Sequence, residues 1–311
     1  MPAHPVEFER ALAQTAEAVE AMLGSLLGSE PLPGEIARPA RLVEAMRYGV
    51  LGGGKRLRPF LLVESARLLG AGGEGVLRAA CALEMVHCYS LVHDDLPAMD
   101  DDDLRRGRPT LHKATDEATA ILAGDSLLTY AFDVMADEAT HPDAQCRAAL
   151  VLGLARAAGL GGMAGGQMLD LEAEGRYADG PRHALPDTEI RRLQAMKTGA
   201  LLAYAAEAGA IVAGARPEDR ATLCAYGKAL GATFQIADDI LDVESTSEAL
   251  GKATGKDAGR GKATLVDALG LEEARAERDR LAHAATMALA GFGPEADLLR
   301  RAAAFAAERR S

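Results

Sequence analysis

Apolar positions recur at three- and four-residue spacing along nearly the whole chain, the period of an amphipathic helix. No run alternates apolar and polar residues as a half-buried strand does. The periodic segments are separated by stretches rich in Gly, Pro and small polar residues at 28–39, 51–59, 70–75, 174–187 and 244–264, which read as loops. Pro217 is placed to open a helix, with Glu218 and Asp219 in the first turn, at the positive end of the helix dipole. No stretch has the composition of a linker. The pattern predicts an all-α fold, a single helical domain over residues 1–311 with roughly ten or more helices.

Two places in this pattern carry unusual chemistry. "LVHDDLPAMD" (91–100) and "FQIADDILD" (234–242) each set an aspartate pair at the end of an apolar helical run. Asp238 and Asp242 are i, i+4, and Asp239 and Asp242 are i, i+3. Carboxylates at those spacings share a helix face, with Cβ atoms about 5–6 Å apart. Gln235 lies one turn earlier on that face. A solvated acidic face has the same spacing, but Phe234, Ile236, Ile240, Leu241 and Val243 make this an apolar helix. In the first motif Pro97 interrupts any regular helix, so Asp100 is expected to return toward Asp94 through an irregular turn. His87 precedes Asp94 by two helical turns, about 10 Å along the same face, at a neighbouring sub-site. His93 reads as a packing or hydrogen-bonding residue.

Carboxylates crowded in this way repel one another unless a cation intervenes. Hard oxygen ligands suit Mg²⁺, which keeps waters and shares itself with phosphate. Two such clusters on facing helices point to a polynuclear Mg²⁺ site that grips a diphosphate and stabilises it as a leaving group. The cations agree. "GGGKRLRP" supplies Lys55 and Arg58 after a glycine turn, without the Ser/Thr or the preceding strand of a phosphate-binding P-loop. Arg105 and Arg106 follow the first motif, Lys197 and Thr198 stand in "KTG", and Lys252 and Lys262 lie in a Gly-rich stretch. Each alone reads as a surface cation; together they read as phosphate ligands.

Composition narrows the class of partner. The 311 residues are 49% hydrophobic and 26% charged, enough for a substantial core, while 4% aromatics and no Trp favour helices packed closely through small residues. A net charge of -12 argues against nucleic acid, yet anionic substrates remain accessible through metal. Cys81, Cys88, Cys146 and Cys224 form no CxxC pair and read as reduced thiols of a cytoplasmic protein. "MPAHPVEFER" lacks the basic start and apolar core of a signal peptide, and no apolar run is expected to reach membrane-spanning length.

The motifs "GGGKRLRP", "HDDLPAMDDDDLRRG", "GGMAGGQMLDLEAEG" (161–175), "KTGAL", "FQIADDILD" and "LGKATGKDAGRGKAT" together resemble the trans-isoprenyl diphosphate synthases, the polyprenyl synthetase family. Within that family they are most similar to the bacterial farnesyl diphosphate synthase group. The resemblance implies a helical bundle of the isoprenoid synthase type with a central cavity between the two Asp-rich helices, a cytoplasmic homodimer, no membrane insertion and no nucleic acid. It implies Mg²⁺-dependent head-to-tail condensation: an allylic diphosphate ionises, the double bond of isopentenyl diphosphate attacks the cation, and a proton is lost to the departing diphosphate.

By matching positions, the resemblance makes Asp94, Asp95, Asp100, Asp238, Asp239 and Asp242 the metal carboxylates and, with Lys197, the catalytic set. Direct ligation falls first to Asp94, Asp100 and Asp238. Lys55, Arg58, His87 and Arg106 would bind isopentenyl diphosphate. Arg105, Lys197, Thr198, Gln235, Lys252 and Lys262 would bind the allylic diphosphate. Gln167 and Asp170 would line the cavity, Asp170 near the metals, and Arg309 and Arg310 resemble the basic end that closes the site. Asp101, Asp102 and Asp103 read as outer neighbours, or as partners for Arg105, Arg106 and Arg108. The chain departs from the family at Thr264-Leu265-Val266, where many relatives read Thr-Tyr-Pro. Tyr89 and Ser90, just before the first motif, would set product length, Tyr89 as a rigid floor giving a fifteen-carbon product. A geranyl or geranylgeranyl diphosphate synthase shares the same chemistry with a different tunnel depth. A terpene cyclase would leave Lys55, Arg58 and Arg106 without a purpose, and a non-catalytic regulatory subunit should have lost part of a motif that is complete here.

Overall fold

The protein is described here by a computed structural model covering residues 5–177, 185–250 and 264–309, with all side chains in those ranges except 245–250. It is helical almost throughout, and its residues fall into two compact units, 9–151 with 211–214, and 1–8 with 152–210 and 215–311.

The first of these units contains most of α1 (Pro5–Leu26), then α2 (Ala40–Val50), α3 (Leu57–Leu68) and α4 (Glu74–Asp94). A hairpin of β1 (Leu104–Arg105) and β2 (Arg108–Pro109) follows, then α5 (Leu111–Ala114), α6 (Glu117–Ala136) and the start of α7 (Ala144–Ala158). Helix α4 packs mainly on α6 and α3. Its Ala79, Ala80, Cys81, Ala82, Leu83, Met85 and Val86 are all buried, so it is covered on every side, as a helix apolar all round must be. Helix α3 likewise buries the consecutive Phe60, Leu61 and Leu62. Asp116 caps α6 by accepting from the N–H of Thr119 at 2.9 Å, satisfying one donor orphaned at the helix start.

The second unit holds α8 (Met163–Ala173), α9 (Asp187–Gln194), a π-helical turn (Ala195–Gly199) and α10 (Ala200–Val212, to Ala210). Then come α11 (Pro217–Leu250), α12 (Leu265–Leu269), α13 (Leu271–Ala288), a 3₁₀ turn (Pro294–Ala296) and α14 (Asp297–Ala307). Helix α11 packs chiefly on α13. Ile236 and Ile240 of α11 share one buried cluster with Ile190, Leu265, Val266 and Ala274. The buried Tyr226 hydroxyl donates to the Leu299 carbonyl at 2.7 Å, tying α11 to α14.

The helical reading and the opening of α11 at Pro217 hold, with Glu218 and Asp219 in its first turn. Three local expectations change. The two-residue strands form a hairpin whose loop, Arg106-Gly107, has φ of 53° and 75°, the primed geometry that matches strand twist. Two paired residues per strand are too few to show alternation. The loop expected at 51–59 ends early, because Pro59 sits in the first turn of α3, where its missing N–H costs no hydrogen bond. The break expected from 244 is not seen over 244–250, which contain neither Gly nor Pro and through which α11 runs on. Glu244 is held there by Arg275 of α13 at 2.6 Å.

The expected absence of spanning-length apolar runs is also corrected. Glu74–Asp94 and Ala144–Ala173 are long and apolar enough to cross a membrane by length and composition. For α4 the reason is packing, since most of that stretch is buried protein core. All four cysteines are free thiols.

Candidate active site

The first acidic motif grows out of the end of α4. Asp94 is the last helical residue, and the chain then folds back on itself. The Asp100 N–H donates to the Asp94 carbonyl at 2.8 Å, Asp101 to Leu96 at 3.1 Å and Asp102 to Asp95 at 3.3 Å. Asp101 takes a left-handed φ of 52°. This is the irregular return that Pro97 implied, and it brings Asp100 beside Asp94, both half-buried. Asp95 differs from them. It is only 3% exposed, and its Oδ1 accepts from Arg105 Nε at 2.7 Å and pairs with Nη2 at 2.5 Å. Burial pushes its carboxyl above the usual range and Arg105 opposes that shift. Among the outer aspartates, Asp102 lies 3.7 Å from Arg105, whereas Asp103 pairs with Lys113 at 2.8 Å instead of an arginine.

The glycine turn of "GGGKRLRP" has a steric reason. The Arg106 guanidinium donates to the Gly53 carbonyl, and a Cβ on Gly54 would fall 2.4 Å from Arg106 Nη1. The Arg106 guanidinium thus packs where residue 54 has no side chain, and the φ of 125° at Gly54 is one that favours glycine. Lys55 is exposed and Arg58 half-buried. Arg56 between them turns inward, 3% exposed, with Nη1 on Glu84 at 2.7 Å, Nη2 on Glu20 at 3.2 Å and on the Val50 carbonyl at 2.5 Å. Its φ of 48° heads α3, so this buried pair fixes the turn that carries Lys55 and Arg58. Sequence reasoning passed over Arg56. The available signal was Glu84, a lone acid inside an apolar helical run.

His87, half-buried on α4, is held well below its ordinary value by burial and by the charges of Arg58, Arg106, Arg56 and Arg105, so it is neutral at pH 7. His93 has the packing role expected of it. Its Nε2 lies 3.1 Å from the Ile121 carbonyl, and its ring stands edge-on to Tyr89 at 5.8 Å. Tyr89 is half-buried, its hydroxyl raised by burial and by Asp94. The Ser90 hydroxyl is tied back to the His87 carbonyl at 2.8 Å.

The second motif, in the other unit, divides in the same way. Asp239 is 5% exposed and accepts from Gln194 Nε2 at 2.8 Å, the Leu265 N–H at 2.9 Å and Gln235 Nε2 at 3.3 Å. Burial raises its carboxyl, opposed by those three donors. It thereby joins α9, α11 and α12 at one point. The backbone N–H of Leu265 serves here, so the departure from Thr-Tyr-Pro leaves a working donor in place. Asp238 is half-buried and Asp242 exposed. Asp238 Oδ1 accepts from Arg309 Nη1 at 2.7 Å, and the Arg309 guanidinium stands 4.1 Å over the Phe234 ring. Arg309 thus does reach an acidic motif. Lys252, Lys262 and Arg310 lie outside the described residues.

Lys197 sits in the π-helical turn, a distortion that often marks functional positions, with Thr198 beside it. Its ammonium pairs with Asp170 of α8. The glycines of "GGMAGGQ" allow this, since a Cβ on Gly166 would fall 2.1 Å from the Lys197 backbone nitrogen. One turn before Asp170, Gln167 Nε2 is buried without a hydrogen-bond partner among the described residues. A buried donor left open costs free energy unless a bound acceptor satisfies it.

Among the described residues no three His, Cys, Asp or Glu side chains converge as a ready metal cage. A hard divalent cation is commonly taken by one or two carboxylates per ion, with water and substrate phosphate completing the shell. The donor set fits this pattern: all oxygen, one accessible carboxylate or more in each motif, and phosphate-type cations alongside.

Comparison with known proteins agrees with this chemistry. The family described as polyprenyl synthetase matches residues 39–289. The chain is 44% identical over 273 residues to farnesyl diphosphate synthase of Geobacillus stearothermophilus, covering 87% of each chain. It is 42% identical to that of Escherichia coli strain K12, covering 87% of this chain and 86% of that one. It is also 42% identical to a chloroplastic geranylgeranyl pyrophosphate synthase of Arabidopsis thaliana, covering 93% and 77%. Among solved structures, an apo FPP/GFPP synthase from Zymomonas mobilis superposes with a TM-score of 0.84 at 41% identity, covering 96% of this chain and 98% of that one. The chain belongs to the polyprenyl synthetase family, whose members use a divalent metal, and it is a prenyltransferase.

Proposed function

We propose that the protein is a Mg²⁺-dependent farnesyl diphosphate synthase, one catalytic domain over the whole chain, working as a cytoplasmic homodimer. It condenses isopentenyl diphosphate head-to-tail with dimethylallyl and then geranyl diphosphate. The observation that carries this reading is the division within each aspartate pair. Asp95 and Asp239 are buried and locked by Arg105 and by Gln194, Gln235 and the Leu265 N–H, while Asp94, Asp100, Asp238 and Asp242 keep more exposure. A locked carboxylate next to an accessible one holds the latter where a cation needs it.

In this reading Asp94, Asp100, Asp238 and Asp242 hold Mg²⁺ directly, and Asp95, Asp239 and Asp170 orient their neighbours. Bound Mg²⁺ supplies charge neutralisation on the departing diphosphate. Lys197, Thr198, Arg105, Gln235, Lys252 and Lys262 bind the allylic diphosphate, and Gln167 donates its open N–H to substrate. Lys55, Arg58 and Arg106 bind isopentenyl diphosphate, with neutral His87 as a hydrogen-bonding wall. Tyr89, braced by His93, ends the hydrocarbon path beside Ser90. Exposed Ile121 and Leu122 of α6 are apolar surface of the kind a second copy covers.

Purified protein is given Mg²⁺, isopentenyl diphosphate and, separately, dimethylallyl, geranyl or farnesyl diphosphate, and chain lengths are read by mass spectrometry. A fifteen-carbon product from the two shorter starters, with farnesyl diphosphate unextended, is expected. A twenty-carbon product would shift the reading to geranylgeranyl diphosphate, and no product would favour the regulatory subunit. Light scattering on the eluted protein tests the dimer, which a strictly monomeric active enzyme would contradict.

A further inference from the structure

Arg309 occupies an unusual position for a residue beyond the end of a helix. Helix α14 ends at Ala307, and Arg309 then reaches back to Asp238, the first acid of the second motif, at 2.7 Å. Its guanidinium carbon stands 4.1 Å over the ring of Phe234, one turn before Asp238 on α11. The side chain is 16% exposed, yet its Nε is buried without a hydrogen-bond partner among the described residues. Among the described residues the guanidinium is held by one carboxylate and one aromatic face, a cation–π platform. The body of α14 is anchored separately, through buried Leu299, Ala302, Ala303 and Ala306 and the Tyr226 hydroxyl. Glu308 is bound back to Arg301 at 2.8 Å. Arg309 can leave Asp238 without displacing the body of α14.

We propose that Arg309 is a resident counter-ion that holds the cation position of Asp238 when metal is absent, so that metal loading and release of Arg309 are one exchange. This rests on the reading of Asp238 as a metal carboxylate. A doubly charged ion on the same carboxylate repels the guanidinium at close range. The two cations therefore compete, and the observed metal affinity is the intrinsic one reduced by the fraction of molecules in which Arg309 has released Asp238. The exchange keeps a cation beside Asp238 in the metal-free protein.

The test is substrate-free binding of Mn²⁺, followed by electron paramagnetic resonance, together with thermal unfolding in the absence of metal. Wild type is compared with Arg309→Ala, Arg309→Lys and Asp238→Asn. Removing the competitor in Arg309→Ala is expected to tighten Mn²⁺ binding about five-fold, the scale of a partly buried ion pair with a stacked ring, and to lower the metal-free unfolding temperature slightly. Arg309→Lys, which keeps charge but loses the planar stack, should fall between. Asp238→Asn should weaken Mn²⁺ binding. If Arg309→Ala binds Mn²⁺ no tighter than wild type while Asp238→Asn loses affinity, the exchange is refuted and the metal reading stands. If Asp238→Asn binds as wild type does, the metal reading of Asp238 fails and the exchange fails with it.

Discussion

Glu84→Gln removes one charge from the pair beneath the "GGGKRLRP" turn. The side chains of Arg56 and Glu84 are 0% and 3% exposed, and they meet at 2.7 Å. Burial opposes the charge on Arg56, and its partners together, Glu84 foremost with Cys88 and Glu20, outweigh that and hold the guanidinium above its ordinary value. Gln keeps the size and an accepting oxygen but leaves a buried guanidinium with less compensation. Breaking one side of such a pair costs about 3–5 kcal/mol. Glu20, at 3.2 Å and 40% exposed, offsets part of the loss, which places the cost near the lower end, about 3 kcal/mol. At about 1.5 °C per kcal/mol for a chain of this size, the unfolding midpoint should fall by about 4–5 °C. Urea titration and calorimetry measure this directly. Because Arg56 heads α3 between Lys55 and Arg58, the KM for isopentenyl diphosphate should rise more than kcat falls. The double variant Arg56→Met/Glu84→Leu, which removes both charges, should recover more than half of the stability without restoring the KM. A Glu84→Gln protein within about 1 kcal/mol of wild type would refute the argument, since no buried pair of this kind leaves so small a trace.

Three further outcomes are expected. Tyr89→Ala should lengthen the product, because a five-carbon unit gains about 4 kcal/mol once space for it exists; an unchanged chain-length distribution by mass spectrometry would remove Tyr89 from this role. His87 has a folded pKa well below 6.5, so as pH falls through 6.5 the unfolded state takes up a proton that the folded state refuses, and stability is lost on the acid side. His87→Gln should flatten that part of the stability profile between pH 7 and 5 in denaturant titrations, and the wild-type KM for isopentenyl diphosphate should show no inflection near 6.5. Gly166→Ala puts a Cβ 2.1 Å from the Lys197 nitrogen, so α8 must shift at a cost of about 1–3 kcal/mol. Allylic kcat/KM should drop at least ten-fold, while a value near wild type would show that Asp170 and Lys197 need no such register.

Sequence by itself determined the helical class, because burial on one helix face imposes a three-to-four-residue period that a local reading detects. It located both acidic motifs and the turn at Pro97 for the same reason: carboxylate spacing and proline geometry are properties of a few consecutive residues. Residue chemistry could not divide the aspartates by environment; only the family resemblance put direct ligation first at Asp94, Asp100 and Asp238. Asp94 and Asp95 are adjacent and chemically alike, as are Asp238 and Asp239. What separates them is Arg105 across the hairpin, Gln194 at the end of α9 and the Leu265 N–H at the start of α12. The division between Lys55, Arg58 and inward-facing Arg56 depended on Glu84, 28 residues away, and the position of Arg309 on Asp238 on a contact 71 residues long. Tertiary structure decided these matters because a charge turns inward only where folding brings a partner to meet it, and that partner leaves no periodic mark in the chain.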